Sequence, residues 1–546
     1  MESDIRHRLL REAVTLLPLG GRVPDGRRLY WRAMRQDLGS IVSGQAADRP
    51  GGAALAAHGR SYSYRELDEA IRSLADGLAR AGAGAGVPIA LMLPNVAEFT
   101  LAYFASHRLG APVVPMSVQL TAPEVAYHLE DSKASVLVAW GERLEQAAAG
   151  IEQAGGRAML VAAGGRRTVS GGAIPLQELM GEASPAAQAV GRAPGDTAVI
   201  LYTSGTTGRP KGAELTHANL MSNARVVGRM LGLGPETVGL CSLPLFHSFG
   251  QTAVHNAVLM AGGTVVLDAR FDPAGALDAM ERHGVTYFAG VPAMYLGLLR
   301  EGRVRAAAGG APPLRTGVRR TWISGGAPLP LEVLRAVDEL FEVDLRESYG
   351  LSETSPVASL NRLDRPKRPG SIGVPLDGVE LKLVDARGRD VEQPGQPGEI
   401  AVRGPNVMKG YHRRPEATAE AMRDGWLLTG DIARRDADGY YFIVDRKKDL
   451  ILRNGYNVYP REVEEVLYAH PAVAEAAVVG VPDPGKGEEV KAFIVLREGA
   501  RLTAAEAAAH CAQRLAAYKL PRQVEFLEAL PRGPSGKILK RVLRER

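Results

Sequence analysis

A chain of 546 residues with 45% apolar and 23% charged residues has the composition of an ordinary folded protein, long enough for several domains. That balance excludes wholesale disorder and a collagen-like fibre, and two cysteines at no paired spacing, Cys241 and Cys511, exclude a disulfide scaffold or a cysteine-rich zinc site. A net charge of +5, diluted over the whole length, gives no reason to expect a nucleic acid as partner.

The chain opens with a basic N-terminal arm, residues 1–45, carrying Arg6, Arg8, Arg11, Arg22, Arg27, Arg28, Arg32 and Arg35. It reads as a solvated or packed leader, with weak peripheral contact at a membrane surface as the alternative. Charges in MESDIRHRLL stand where a signal peptide needs its apolar stretch, and the greasiest segment, 89–116, is broken by Pro94, Glu98, Arg108 and Pro112. A cytoplasmic protein without a membrane span is expected.

From 46 to 445, short β-branched runs alternate with helical periodicity. AVILY (198–202), TVVL (264–267), VTYFAG (285–290) and RTWIS (320–324) read as strands, and helices are predicted over 218–231, 273–283 and 331–341. The alternation predicts a large α/β domain with buried strands. DRKKD (445–449) reads as a charged linker. Beyond it a small α+β domain, 446–546, is predicted with helices at 461–469 and 504–516 and strands at 476–481 and 491–496.

Within the large domain, YTSGTTGRPKG (202–212) follows a strand and precedes a helix opened by Thr216 or His217. Its chemistry suits phosphate: glycines let backbone N–H groups approach closely, hydroxyls add donors, and Lys211 supplies mobile positive charge. It is not a Walker loop, because no Gly-Lys-Ser/Thr enters a helix.

This loop resembles the signature of the adenylate-forming superfamily, which comprises acyl-CoA synthetases, peptide-synthetase adenylation domains and firefly-type luciferases. The resemblance extends through PLFHSFG (244–250), SGGAPLP (324–330), ESYGLSET (347–354), WLLTGD (426–431), DRKKDLILRNGYNVYP (445–460) and PRGPSGKILKR (531–541), in the family's order. It implies a large α/β domain with an additional β-rich part and a small mobile C-terminal domain hinged at 446–448. It also implies ATP, Mg2+ and coenzyme A as the small molecules used alongside a carboxylic acid. Activation of an acid by ATP brings two anions together, so donors, cations and a metal ligand are the groups needed.

By the same resemblance, Thr203, Ser204, Gly205, Thr206, Thr207, Gly208 and Lys211 hold the β- and γ-phosphates. Gly325, Gly326, Ala327 and Pro328 enclose adenine with Tyr349, and Glu347, Ser348 and Gly350 join them in binding the nucleotide. Ser352 faces the α-phosphate, and Glu353, with Thr206, serves the magnesium. Asp431 accepts from the ribose, Arg446 touches ribose and phosphate, and Lys537 reaches the reacting carboxylate. Lys448 matches the hinge position. Asn454, Gly455 and Tyr456 line a pantetheine passage, and Arg270 lies near the CoA phosphates. His247 is a catalytic and pocket residue, joined in the acyl pocket by Phe249, Ala253, Gly290, Val291, Met294 and Gly325.

No aspartate stands in PLFHSFG to anchor an α-ammonium, and the pocket candidates are small or apolar. An apolar monocarboxylic acid is therefore expected, a medium- to long-chain fatty acid ahead of a coumarate-like arylacrylate. Free CoA is favoured as acceptor because no carrier module follows Arg546, a carrier-loading enzyme being the alternative. A non-catalytic nucleotide sensor would have no use for Lys537. The sequence sets no oligomeric state.

Overall fold

The computed structural model describes residues 37–164, 172–181, 189–203, 209–308, 314, 320–453, 456–483, 487–534 and 536–546. The arm up to residue 36, the loop residues Ser204, Gly205, Thr206, Thr207 and Gly208, and the pair Asn454 and Gly455 lie outside them.

Two mixed sheets with helical cover form the large domain. One runs in the order 410–411, 211–216, 197–203, 113–115, 89–92, 136–140, 159–163, 174–175. The other runs 374–375, 357–360, 344–350, 321–324, 287–290, 238–241, 264–267, 53–57, 60–63. Parallel pairing of its central strands leaves them buried on both faces, which is why Tyr287–Gly290 and Thr321–Ser324 show no polar alternation. Trp322 is fully buried there against Phe288, Tyr295 and Phe341.

Local signals place the helices. Thr216 caps His217–Met230, its side chain taking the Asn219 amide while Asn219 reaches back to the Thr216 N–H. Leu331–Phe341 and Thr264–Leu267 have the expected bounds. Between strand and helix the loop 202–212 turns out to close an antiparallel hairpin, Thr197–Thr203 with Lys211–Thr216.

A third, antiparallel sheet joins Glu380–Val384, Pro397–Arg403, Trp426–Arg435 and Met422–Arg423, with Tyr441–Arg446 on the long strand. It is the β-rich part that the resemblance implies. The small domain follows: Tyr456–Val458, Ile451–Arg453, Gly487–Leu496 and Val473–Asp483 form its sheet, with Gln523–Phe526 beside the third of these. Its helix Ala504–Ala512 stops short of the expected 516. Tertiary bonding wins over periodicity here, because the Arg453 guanidinium takes the Ala517 and Tyr518 carbonyls and draws the chain into a tight turn.

Cys241 and Cys511 are buried packing residues, as expected. Among the described residues no helix is long and apolar enough to cross a membrane.

Candidate active site

A cavity of about 920 Å3 opens where the two large sheets, the antiparallel sheet and the small domain meet. Each wall comes from a loop at a strand end. Thr203 and Lys211 face one another as the last register pair of the hairpin. The hairpin's base is tied to the helix Ala122–Ser132 by the Tyr202 hydroxyl on Asp131 (2.8 Å) and the Tyr127 hydroxyl on the Pro210 carbonyl (2.7 Å).

The strand Asp344–Gly350 brings Ser348, Tyr349 and Gly350 to the wall and ends in a short turn holding Ser352 and Glu353. Gly350 has to be glycine, because a methyl group there would stand 1.8 Å from the Pro356 carbonyl oxygen. Glu353 Oε1 accepts from the Tyr411 hydroxyl at 2.9 Å and lies 3.5 Å from Thr203 Oγ1.

Across the cavity the Tyr349 hydroxyl donates to Asp431 Oδ2 at 2.7 Å, and Arg446 Nε lies 3.3 Å from Oδ1. Burial first, then Asp431, push the Tyr349 phenol up, so it stays a donor. Asp431 and Arg446 are a register pair of the antiparallel sheet. Beside them Glu399 accepts from the Gly430 N–H and from Lys447 Nζ, both at 3.0 Å, which fastens the linker to the strand that presents Asp431.

The small domain contributes Lys537 from the turn between Arg532 and Ile538. Arg532 donates to the Gly536 carbonyl (2.7 Å) and to Glu475 (2.9 Å), and Lys540 pairs with Glu464 at 2.8 Å. Lys537 Cε stands 3.6 Å from the place a methyl on Gly326 would take, so the domains are closed on one another. Burial, and after it Arg446, pull the Lys537 ammonium down to about 8, against the pull of Asp431 and Glu353. Burial and Lys537 together hold His247 down to about 3. The imidazole is thus neutral, and because Nδ1 accepts the Phe249 N–H at 3.2 Å, Nε2 carries the proton.

The cavity therefore unites Thr203, Lys211, His247, Phe249, Gly325, Gly326, Ser348, Tyr349, Gly350, Ser352, Glu353, Asp431, Arg446, Lys448 and Lys537. Other candidates stand elsewhere in this closed arrangement. Glu347 is turned away, its carboxylate accepting the Gly370 N–H at 2.8 Å while burial raises its pKa to about 7. Ala327 and Pro328 lie off the wall.

Four of the acyl-pocket candidates are off it too. Ala253 sits inside a wide π-type helix, Phe249–Asn256, with its carbonyl bonded by the Tyr287 hydroxyl. Gly290 is closed by the Phe288 and Tyr295 rings, Val291 packs on Gly326 and Gly536, and Met294 is packed among core residues. Arg270 is exposed and outside the cavity. Tyr456 is 58% exposed and stacks on Tyr518 at 4.9 Å, away from the cavity in this closed arrangement. Sequence reasoning passed over Phe246, Tyr411 and Arg544, which line the cavity. The tyrosine lies in KGYHRRPEAT (409–418), a turn-rich segment whose composition says nothing of its neighbours.

Comparison with known proteins agrees with this architecture. The family described as AMP-binding enzyme matches residues 42–412, and the AMP-binding enzyme C-terminal domain matches 462–537. A feruloyl-CoA synthase of Amycolatopsis is 40% identical over 94% of this chain and 99% of its own length. A long-chain-fatty-acid–CoA ligase of Bacillus subtilis is 34% identical over 93% and 94%. Among solved structures, ATP-bound MatB from Rhodopseudomonas palustris superposes with a TM-score of 0.84 at 34% identity, covering 93% of this chain and 98% of that one.

Proposed function

Because this chain belongs to the AMP-binding enzyme family, we propose that it is an AMP-forming acid–thiol ligase that activates an apolar monocarboxylic acid and passes the acyl group to coenzyme A. One observation carries the reading. Lys537, from the far end of the chain, stands in the same cavity as Lys211, Glu353 and Asp431.

In the proposed first step a carboxylate oxygen attacks the α-phosphorus of ATP, the bond to the bridging oxygen breaks, and pyrophosphate leaves with its electron pair. Lys211 and Thr203 serve the leaving phosphates. Asp431 and Tyr349 fix the nucleoside, Ser352 donates toward the α-phosphate, and Lys537 offsets the charge that grows as the two anions meet. The chain's oxygens suit magnesium: Glu353 borders the cavity, and its Oε2 has no partner among the described residues. The family's magnesium is held largely by phosphates and water, so one carboxylate is the protein ligand proposed here. Bound there, magnesium would neutralise phosphate charge.

In the proposed second step the thiol releases its proton to solvent as its sulfur attacks the acyl carbon, the bond from that carbon to the phosphate oxygen breaks, and AMP leaves with the electron pair. The small domain turns about 446–448, withdraws Lys537 and brings the segment around Tyr456 to the cavity.

For the acid we favour an arylacrylate over a long aliphatic chain. The feruloyl-CoA synthase relative supports this, and so does the packing behind Phe249. The Ala253 carbonyl is held by the Tyr287 hydroxyl, and the Phe288 and Tyr295 rings fill the space beside Gly290. Incubation with ATP, magnesium, CoA and a panel of hydroxycinnamic and short- to long-chain fatty acids should yield AMP and an acyl-CoA, with the highest kcat/KM for a hydroxycinnamate. Higher kcat/KM for long-chain acids would reverse the substrate assignment; ADP as product, or no CoA-dependent product from any acid, would overturn the ligase itself.

A further inference from the structure

Tyr411 touches two charged groups on the cavity wall, one at the start of a strand and one in the turn that follows another. Its hydroxyl donates to Glu353 Oε1 at 2.9 Å, and Lys211 Nζ lies 5.3 Å from the centre of its ring, within reach of the ring's negative face. The backbone on both sides is pinned. Gly410 and Tyr411 pair with Glu214 and Ala213, and the Tyr411 N–H donates to Thr418 Oγ1 at 2.9 Å. The His412 N–H donates to the Gly212 carbonyl at 2.7 Å, while its ring lies 2.6 Å from Glu214.

An ammonium and a carboxylate on one cavity wall attract one another, and a direct pair would occupy the oxygen that a divalent cation needs. The tyrosine removes that outcome by engaging both partners separately. We infer that Tyr411 is a positioning residue for adenylation: it binds Glu353 through Oε1, leaving Oε2 for the metal, and parks Lys211 on its ring instead of on that carboxylate. This rests on the ligase reading above.

The test is a magnesium titration of the full-length enzyme with a non-hydrolysable ATP analogue, followed by calorimetry, beside Tyr411→Phe and Tyr411→Leu. Tyr411→Phe should raise the magnesium midpoint roughly 10- to 100-fold, the scale of losing one hydrogen bond to a charged group, while analogue affinity in EDTA stays at the wild-type value. Tyr411→Leu should also weaken analogue binding in EDTA, because Lys211 is then free to pair with Glu353. A Tyr411→Phe midpoint equal to wild type, or a loss of the same size with and without magnesium, overturns the inference. Should Tyr411→Phe not fold, Thr203→Val removes the weaker donor to the same oxygen and should shift the midpoint the same way; no shift there overturns it. A wild-type enzyme whose analogue binding ignores magnesium would instead sink the adenylation reading itself.

Discussion

Gly536 of the small domain rests on Val291 of the large one, with φ at +78° and room for nothing more: a methyl there would meet Val291 Cγ2 at 3.1 Å. The contact exists only while the two domains are closed around Lys537. Gly536→Ala adds backbone strain and crowding at once. Adenylation, followed by pyrophosphate exchange, should drop about 10-fold on the scale of one such strained residue. Thioester formation from supplied acyl-AMP should change little, and an equal fall in both would show that Gly536 has no preference between the two arrangements.

Lys537→Ala should cost roughly 10²- to 10³-fold in adenylation, the scale for one preorganised transition-state donor. Supplied acyl-AMP should still be converted to acyl-CoA. Rapid-quench assays of the separate half-reactions read the two rates, and retention of normal adenylation would remove Lys537 from the chemistry.

The same lysine sets a pH limit. Its ammonium is held down to about 8 from an ordinary 10.5, so the cation is present below that value and lost as pH rises through it. Adenylation kcat/KM should therefore fall on the alkaline side with an apparent pKa near 8. Lys537→Arg carries a charge that does not titrate, so whatever activity it retains should show no such limb. A wild-type profile flat into the range of an ordinary lysine would contradict the assignment.

His107 is fully enclosed, with neither ring nitrogen partnered among the described residues, its ring 4.4 Å from Tyr103 and 5.5 Å from His217. Burial, and after it His217, hold it neutral, well below the 6.5 of an exposed histidine. With the folded value depressed, the folded state is favoured fully only above the unfolded value. Stability is lost as pH falls below it, by up to about 1.4 kcal/mol per unit. His107→Phe removes this loss, so calorimetric melting should show a larger gain at about pH 5 than at about pH 8. Equal gains at both would place the effect in packing alone.

Much of this was legible in the chain because local chemistry and global fold agree. Thr216 opens a helix as expected, the 331–341 periodicity marks its helix as formed, and the motifs that carry the family resemblance bring Glu353, Asp431 and Lys537 to one cavity. Other features depend on partners distant in sequence. Nothing near Tyr411 reveals Lys211 or Glu353, and nothing near Gly290 tells that Phe288 and Tyr295 fill the space beside it. Glu347 lies in a nucleotide-like motif, yet the Gly370 amide claims its carboxylate.

Arg532 and Lys540 rivet the Lys537 turn to Glu475 and Glu464 on either side of the lysine. The reactive charge is thereby geared to the whole body that carries it. In the proposed cycle it cannot run ahead of that body or lag behind, so the angle of the small domain alone would meter when the cation is delivered and when it is taken away.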